Sequence, residues 1–543
     1  MKTRGTVLLI TFAALQFLWC GPQQAAEQGQ QSPASGGIVC RINARQELGQ
    51  VPRRLFGTNV EWFNNAGGLW KEPSIDAQLE NLARQQGIAV VRFPGGTLSD
   101  FYNWRDGIGP RQRRPVRKHP TDSGRSGNSF GTPELARFCR SIGAEPLITV
   151  NASTGTAADA AAWVAYCNQK DNPEQLADGM PDPPNVRLWE VGNELYLAGN
   201  PVEKSISIAP DAYAERFAAY AHAMRSADPS ISLIALGIAQ STRIPITPSA
   251  DWTKTVLSRC AADIDFISVH NAYFPVLIAE RAPAAKDVYQ ALWASPEAVD
   301  RSLTNLESLI AQYKKERPIG IAITEWGAVF SLLDPLWSDH VKTMGTAVYC
   351  ARIMQVFLAH PLVQIANYFK FADTTPMGWV ALNSVPKVPY YSLAMFTQHF
   401  GSLLVTSAIT GSPAYASPQM GLTAAEKSVS EITAVASLSS SRDRLFVNII
   451  NRSWDSSRSL SLDIAGFAPV GDSAVLWSLA GAGPCAHNGP DVPSWWPVKV
   501  VEPDGQAMPK KQITIEQGQI SLRQPIEIPP HAVITVEIPG KPL

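Results

Sequence analysis

Residues 186–194 read VRLWEVGNE, a short apolar run that ends in Gly-Asn-Glu. Residues 319–327, IGIAITEWG, repeat the pattern and place Glu325 near the end of a similar run. A carboxylate at the end of a buried strand is costly unless its charge is compensated. Glu194 and Glu325 are therefore candidates for a functional role, and the runs that carry them belong to a larger repeat.

Strand-like and helical patterns alternate eight times between residues 54 and 401. Most strand candidates are continuous apolar runs, as expected for parallel strands that are buried on both faces. The predicted strands are 54–62, 88–94, 146–151, 186–194, 231–237, 264–273, 319–327 and 364–371. The predicted helices lie near 75–87, 132–142, 157–169, 209–226, 251–261, 296–316, 338–360 and 389–400. Eight such units predict an α/β fold with a (β/α)8 TIM barrel over residues 54–401, whose site lies at the C-terminal ends of the strands.

Residues 402–543 differ from the barrel region. They contain short alternating runs, such as LFVNII at 445–450 and VITVE at 533–537, separated by turn residues. This pattern is typical of an all-β sandwich. The strand-like segment 38–53 is expected to add a strand to that C-terminal β-sandwich.

The N-terminus resembles a secretory signal. Lys2 and Arg4 precede an apolar run from Val7 to Trp19, which is too short for a standard membrane-spanning helix. We assign residues 1–26 to a signal peptide and 27–37 to a flexible linker, and we expect an exported protein that is either secreted or periplasmic. Cys20 leaves lipid anchoring as an alternative, which Phe17-Leu18-Trp19 disfavours because small residues are expected before a lipidated cysteine.

Charge and cysteine content exclude several classes of function. The net charge of −1 supplies no global field for nucleic acid or lipid, and the sequence predicts neither as a partner. The cysteines after Cys20 are scattered and form no CxxC motif, so neither a metal nor a cofactor is expected. Cys139 could pair with Cys167, and Cys40 with Cys485, or each could be a buried free thiol. The sequence does not indicate an oligomeric state.

The predicted strand ends bring polar residues to one face of the barrel. Packing alone does not explain so many, because an unpaired buried polar group costs about 1–3 kcal/mol. A retaining glycosidase needs one carboxyl group that is protonated to assist the leaving oxygen and one that is ionised to attack the anomeric carbon. We expect Arg92 to be the counter-ion of the nucleophile, with Tyr273 or His270 bonded to it. The residues at the strand ends are Glu61, Arg92, Asn193, Glu194, His270, Tyr273, Glu325 and Trp326.

The motifs resemble those of glycoside hydrolase family 51, the α-L-arabinofuranosidases, in the clan with catalytic glutamates on strands 4 and 7. They are FGTNVE at 56–61, RFPGG at 92–96, YNWRDGIGP at 102–110, WEVGNE at 189–194, SVH at 268–270 and TEW at 324–326. The resemblance implies that Glu194 is the acid/base and Glu325 the nucleophile. It also implies that Glu61 contacts furanose hydroxyls, and that Arg92, Asn193 and His270 support the site.

Two positions depart from the family pattern. Thr97 follows Pro-Gly-Gly where the family usually has Asn, and Ala272 stands where a Tyr is expected, with Tyr273 following it. Both positions belong to the pocket for the terminal sugar. The departures leave the reaction type intact and put the sugar in question.

Three functions are consistent with the sequence. The first is an exported, retaining α-L-arabinofuranosidase that acts on arabinose-containing polysaccharide by double displacement. The second keeps the carboxylates and changes the sugar, as in a β-glycosidase or endo-glucanase of the same clan. The third is a catalytically silent carbohydrate-binding protein, which has no need for an acid and a nucleophile at that spacing.

Overall fold

The computed structural model describes residues 37–118, 125–180, 182–239, 251–270, 272–276, 284–313, 317–330, 339–372, 377–380, 384–488 and 512–543. The predicted signal peptide, Cys20 and most of the predicted linker lie outside these residues. Among the described helices, none combines the length and the apolar character that crossing a bilayer requires.

Eight parallel strands close into a barrel. They run in chain order around the ring, so the sixth strand pairs with the seventh and the seventh with the eighth. The eighth strand pairs with the first, and this pairing closes the barrel. The strands are Gly57–Asn59, Val90–Phe93, Glu145–Val150, Leu188–Val191, Ser232–Leu236, Phe266–Ser268, Gly320–Phe330 and Val363–Tyr368. The predicted (β/α)8 barrel is confirmed.

A helix of at least nine residues follows each barrel strand. The eight helices are Ala77–Gln86, Thr132–Ile142, Ala157–Asn168, Pro210–Ala227, Trp252–Cys260, Ala285–Tyr313, Met344–Ala359 and Val388–Gln398. Several have clear start signals: the Asp76 side chain caps the first, and Pro133 and Pro210 lie in the first turns of theirs. The outer helices and the strands together enclose a large core that includes Val91, Trp189 and Ile323.

The observed bounds differ from the predicted ones in an informative way at two elements. The helix predicted at 296–316 begins at Ala285 and keeps Pro296 inside it. Val288 and Leu292 precede the proline at helical spacing and are fully buried, so packing of this turn outweighs the hydrogen bond that proline removes. The strand predicted at 264–273 is two strands, Phe266–Ser268 and Ala272–Val276, and the second pairs with the seventh barrel strand.

Ten further strands form a mixed sheet that folds over its own core. They are Ile38–Gln50, Leu403–Thr410, Ile432–Leu438, Arg444–Asn451, Arg458–Ala465, Phe467–Pro469, Ser473–Leu479, Glu516–Ser521, Ile526–Ile528 and Ala532–Pro542. Cys40 and Val447 lie on two strands that do not pair with each other, yet both side chains belong to one buried cluster. Two faces of the sheet therefore pack against each other, and the region is a β-sandwich. The N-terminal strand joins it between Leu403–Thr410 and Arg458–Ala465.

Cysteine pairing is absent where the sequence allowed it. Cys40, Cys139 and Cys167 are buried free thiols, so neither the Cys139–Cys167 nor the Cys40–Cys485 bond forms. Burial raises the pKa of the Cys40 thiol to about 12, which makes it a small apolar core residue and not a reactive group.

Candidate active site

The polar residues of the predicted site converge at the C-terminal ends of the barrel strands. Arg92 lies in the second strand, Asn193 and Glu194 follow the fourth, His270 follows the sixth and Glu325 lies within the seventh. Parallel strands bring their C-terminal ends to one face, so residues far apart in sequence become neighbours.

Arg92 is the centre of the site and is fully buried. Its Nη1 donates to Glu325 Oε1 at 2.8 Å and to Asn59 Oδ1 at 2.9 Å, and its Nε donates to Glu190 Oε2 at 2.7 Å. Its Nη2 donates to Asn193 Oδ1 at 2.7 Å. Burial alone would lower the pKa of Arg92, but Glu190 and Glu325 outweigh it and raise that pKa. The expected ion pair of Arg92 with Glu325 is present.

Glu194 is held in an unusual backbone conformation. Its φ is 47°, in the left-handed region that non-glycine residues rarely adopt and that is enriched at functional sites. Gly192, two residues earlier, has φ 82°, and a Cβ there would lie 2.9 Å from Leu195 Cδ1. The tight turn therefore requires Gly192. This turn places Glu194 beyond the end of the apolar strand.

Asp100 fixes the loop that carries Glu194. Its carboxylate accepts from the backbone N–H of Asn193 at 2.7 Å and of Ala152 at 2.8 Å. Burial raises the pKa of Asp100 to about 7 against the lowering effect of these hydrogen bonds. Asp100 was not among the predicted site residues, because its partners Ala152 and Asn193 lie in the loops after the third and fourth barrel strands.

His270 bonds to Glu194, a contact that the sequence did not predict, and one of its ring nitrogens also lies within 4.8 Å of a Glu325 oxygen. Its Nδ1 lies 2.7 Å from Glu194 Oε1, and its Nε2 lies 2.9 Å from Thr324 Oγ1. Burial alone would lower the pKa of His270, but the carboxylates of Glu325 and Glu194 outweigh it and raise that pKa. The His270–Glu194 contact shows that the loop after strand 6 lies beside the loop after strand 4.

Glu190 was also missed, although it is a charged residue inside an apolar strand. Its carboxylate accepts from Thr149 Oγ1 at 2.7 Å and from Thr324 Oγ1 at 2.7 Å, besides Arg92. Burial alone would raise the pKa of Glu190, but the charges of Arg92 and His270 and the hydrogen bonds from Ser268 and Thr149 hold it below the usual value. Glu190 is therefore ionised at neutral pH.

Glu61 lies on the side of the site where strands 1 and 8 meet. Its carboxylate forms an ion pair with Lys370, and both side chains are about nine-tenths buried. A Cβ on Gly96 would lie 3.3 Å from Glu61 Oε1, so the Pro94-Gly95-Gly96 turn packs closely against this carboxylate. Thr97 begins the next turn. Lys370 was not predicted, and it gives this pocket a cation.

Trp326 and Tyr273 were also predicted to contact the substrate. Trp326 is only 1% exposed, and its ring packs edge-on against Phe357 and Tyr368. Its position as the residue after Glu325 turns it into the core behind the strand, so a substrate contact is not its role. Tyr273 lies in the strand Ala272–Val276, and its side chain is outside the described part of the chain.

Carboxylate oxygens of Glu194 and Glu325 lie within 4.8 Å of each other, and a ring nitrogen of His270 lies within the same distance. Two carboxylates and an imidazole at this spacing could hold a divalent metal ion. The donor set favours proton chemistry instead, because Glu194 and His270 bond to each other and Arg92 already binds Glu325. A metal ion there would meet the guanidinium charge.

Known proteins with similar sequences carry related names. A family model described as "Alpha-L-arabinofuranosidase 1 domain" matches residues 83–268. The intracellular exo-α-(1→5)-L-arabinofuranosidase of Bifidobacterium longum is 30% identical over 309 residues, 52% of this chain and 51% of that protein. The enzyme of the same name from Acetivibrio thermocellus is 24% identical over 463 residues, 78% of this chain and 87% of that protein. The chain thus spans about half the length of the Bifidobacterium relative.

The fold is shared with solved structures. The α-L-arabinofuranosidase of Thermotoga maritima, in its arabinose complex, superposes with a TM-score of 0.77 at 23% identity. The superposition covers 93% of this chain and 100% of that one. The barrel and the β-sandwich are therefore both part of the common architecture.

Proposed function

Because the chain belongs to an α-L-arabinofuranosidase-like family of glycoside hydrolases, the family 51 type, we propose that it releases terminal arabinofuranose from plant-type polysaccharides with retention of configuration. One observation carries the proposal: the Glu194 and Glu325 oxygens lie within 4.8 Å. Retaining glycosidases hold their carboxyl groups about 5–5.5 Å apart, whereas inverting enzymes need about 6.5–9.5 Å to admit a water molecule.

In the first step, Glu325 attacks the anomeric carbon and Glu194 gives a proton to the leaving oxygen. Arg92 donates to Glu325 Oε1 and orients the nucleophile. The hydrogen bond between Glu194 and His270 holds the proton for the leaving oxygen, on the side of the scissile bond opposite Glu325. The products of this step are a glycosyl ester on Glu325 and the released aglycone.

In the second step, Glu194 acts as a base and removes a proton from water, which then attacks the same carbon. The ester bond to Glu325 breaks and the carboxylate returns to its ion pair with Arg92. Two displacements at one carbon give net retention. The protonation of Glu194 is the same before and after the cycle, so the reaction balances without a cofactor.

Asn193 is suited to hold a sugar hydroxyl. Its Oδ1 accepts from Arg92, which orients the amide, and its Nδ2 is buried and has no hydrogen-bond partner among the described residues. A buried donor without a partner costs about 1–3 kcal/mol, and a bound sugar hydroxyl would remove that cost. We propose that this donor binds the hydroxyl next to the anomeric carbon.

A second candidate function keeps the mechanism and changes the sugar. Thr97 departs from the family pattern, and Lys370 forms an ion pair with the Glu61 carboxylate. Ala272 departs from the pattern as well, and its side chain lies outside the described part of the chain. These three features favour a broadened preference among terminal sugars. A carbohydrate-binding protein without activity is disfavoured, because it would gain nothing from the close carboxylates.

We also propose that the protein is exported, on the basis of Lys2, Arg4 and the apolar run Val7–Trp19. Expression of the full chain followed by cell fractionation tests this. A protein outside the cytoplasm with a shortened N-terminus supports export, and a full-length cytoplasmic protein contradicts it.

The activity is tested with a panel of nitrophenyl glycosides. We expect measurable kcat/KM on the α-L-arabinofuranoside. Turnover of a xyloside, galactofuranoside or glucoside alone supports the second candidate, and no turnover of any substrate contradicts a glycosidase.

Thr97→Asn tests the pocket. We expect kcat/KM on the arabinofuranoside to rise by about tenfold or more, because a site that bonds a sugar hydroxyl discriminates strongly through it. The control is Thr304→Asn, the same change on an exposed helix face, which should leave kcat/KM unchanged. High and exclusive arabinofuranoside activity in the parent, with no gain in Thr97→Asn, would show that the pocket argument is wrong.

A further inference from the structure

The hydroxyl of Thr324 connects the Arg92–Glu190 ion pair with the Glu194–His270 pair. Its Oγ1 lies 2.7 Å from Glu190 Oε1, 2.9 Å from His270 Nε2 and 2.5 Å from Ser268 Oγ. Thr324 is fully buried, as is Glu190. A hydroxyl carries one hydrogen, so Thr324 donates to one of these three neighbours and accepts from the others.

The hydrogen of Thr324 goes to Glu190. Glu190 is ionised beside Arg92 and can only accept, and a hydrogen bond to a charged oxygen is about twice as strong as a neutral one. If the hydrogen pointed elsewhere, two oxygens with lone pairs would face each other at 2.7 Å. The oxygen of Thr324 therefore accepts from His270 Nε2–H.

This assignment determines what lies between His270 and Glu194. With Nε2 protonated, Nδ1 of a neutral imidazole has no hydrogen and faces Glu194 Oε1 at 2.7 Å. A hydrogen bond of that length needs one proton, which is supplied either as the Glu194 carboxylic acid or as an imidazolium Nδ1–H. The pair then carries one proton more than a neutral imidazole beside a carboxylate.

We propose that Thr324, fixed by Glu190, is a positioning residue that sets the Nε2–H tautomer of His270 and so keeps the leaving-group proton on the Glu194–His270 pair. The proposal rests on the acid role of Glu194 in the proposed function. It assigns to Thr324 and Glu190 a task beyond holding Arg92 in place.

The charges around His270 agree with a retained proton. The carboxylates of Glu194, Glu325 and Glu190 face it from strands 4 and 7, and the guanidinium of Arg92 faces it from strand 2. Their balance raises the pKa of His270, so the proton is present at low pH and is lost as the pH rises through the raised value. Loss of this proton defines the alkaline limb of the activity profile.

Two further titratable groups face Glu194. Burial raises the pKa of the Tyr196 phenol well above its usual range, and burial together with the Glu194 charge raises the pKa of Glu203. Both groups are unchanged in the variants below. A difference between those variants therefore reports the hydroxyl that was removed.

Thr324→Val removes the hydroxyl and keeps the side-chain shape. His270 Nε2–H then loses the Thr324 oxygen as an acceptor, and the ring favours the Nδ1–H tautomer, which donates to the Glu194 carboxylate. We expect the alkaline limb of kcat/KM to move about one pH unit lower, since one unit corresponds to about 1.4 kcal/mol and one hydrogen bond is worth a similar amount. Substrates with poor leaving groups should show the largest loss.

Two matched variants separate this role from a general structural one. Thr324→Ser keeps the hydroxyl and should restore the parent limb. Thr149→Val removes the other threonine hydroxyl that donates to Glu190, on the side away from His270, and should leave the alkaline limb in place. An equal shift in Thr149→Val, or no shift in Thr324→Val, would overturn the proposal.

The tautomer can be read without substrate. Long-range ¹⁵N–¹H NMR spectra of the ¹⁵N-histidine-labelled protein distinguish protonated from bare ring nitrogens, and His270→Asn assigns the signal. We expect a protonated Nε2 in the parent and a protonated Nδ1 with a bare Nε2 in Thr324→Val. A bare Nε2 in the parent overturns the proposal, whereas a correct tautomer in a protein that hydrolyses no glycoside overturns the proposed function alone.

Discussion

Glu325→Ala is expected to lose nearly all turnover, by roughly four orders of magnitude or more, as when a nucleophile is removed from covalent catalysis. The covalent intermediate cannot form without this carboxylate. The fold should persist, because Arg92 keeps its bonds to Glu190, Asn59 and Asn193. Steady-state kinetics on nitrophenyl α-L-arabinofuranoside measure the loss.

Azide should restore part of the activity of Glu325→Ala. It fits the space of the missing carboxylate and attacks from the face opposite the leaving group, so the glycosyl azide has inverted configuration. Glu215→Ala is the control, because Glu215 is exposed on the helix Pro210–Ala227 and its surface ion pair with Arg259 contributes little. Full activity in Glu325→Ala would remove Glu325 from the mechanism.

Glu194→Ala is expected to slow alkyl or sugar leaving groups by about 10²–10⁴-fold, the range for general acid catalysis. Activated nitrophenyl leaving groups need little help from a proton, so their first step should be affected far less. The measurement is kcat/KM over a series of leaving groups, which should become steeply dependent on leaving-group basicity.

Azide also distinguishes the role of Glu194 from that of Glu325. In Glu194→Ala the ester on Glu325 still forms, and azide replaces water in the second step, so the glycosyl azide has retained configuration. Equal losses on good and poor leaving groups would contradict the acid role. The opposite configurations from the two variants would distinguish their roles in a single type of experiment.

The barrel was predictable because its signals are local. Continuous apolar runs mark the buried parallel strands, and prolines or capping residues mark several helix starts, as at Asp76 and Pro210. Pro296 misled the prediction, since burial of Val288 and Leu292 outweighs the local rule against proline inside a helix. Tertiary packing decides such boundaries.

The two candidate carboxylates, Glu194 and Glu325, were predictable because a charge at the end of a buried strand has few structural explanations. The residues that bond to these carboxylates were harder to predict. The bond between His270 and Glu194 was not predicted, and neither was the Glu61–Lys370 ion pair, which joins residues that follow the first and last strands. Such pairings depend on how the ring closes, which the sequence states only indirectly.

The hydrogen-bond network illustrates the same limit. Glu190 stands out in the sequence as a charge inside the WEVGNE strand, but Thr324 resembles any β-branched strand residue. Its role comes from three neighbours on two other strands. Hydrogen-bond direction follows from counting hydrogens in the assembled site, so it can be derived only once the fold is known.

The central claim is that Glu325 carries the sugar between two displacements, and trapping the intermediate tests it most directly. Glu194→Ala slows the second step, so mixing it with an activated aryl arabinofuranoside, quenching in acid and digesting with pepsin should preserve the ester. Mass spectrometry is expected to find one pentosyl group on the peptide that contains Glu325. A pentosyl group on another residue, or no adduct together with an initial product of inverted configuration, would contradict the double displacement.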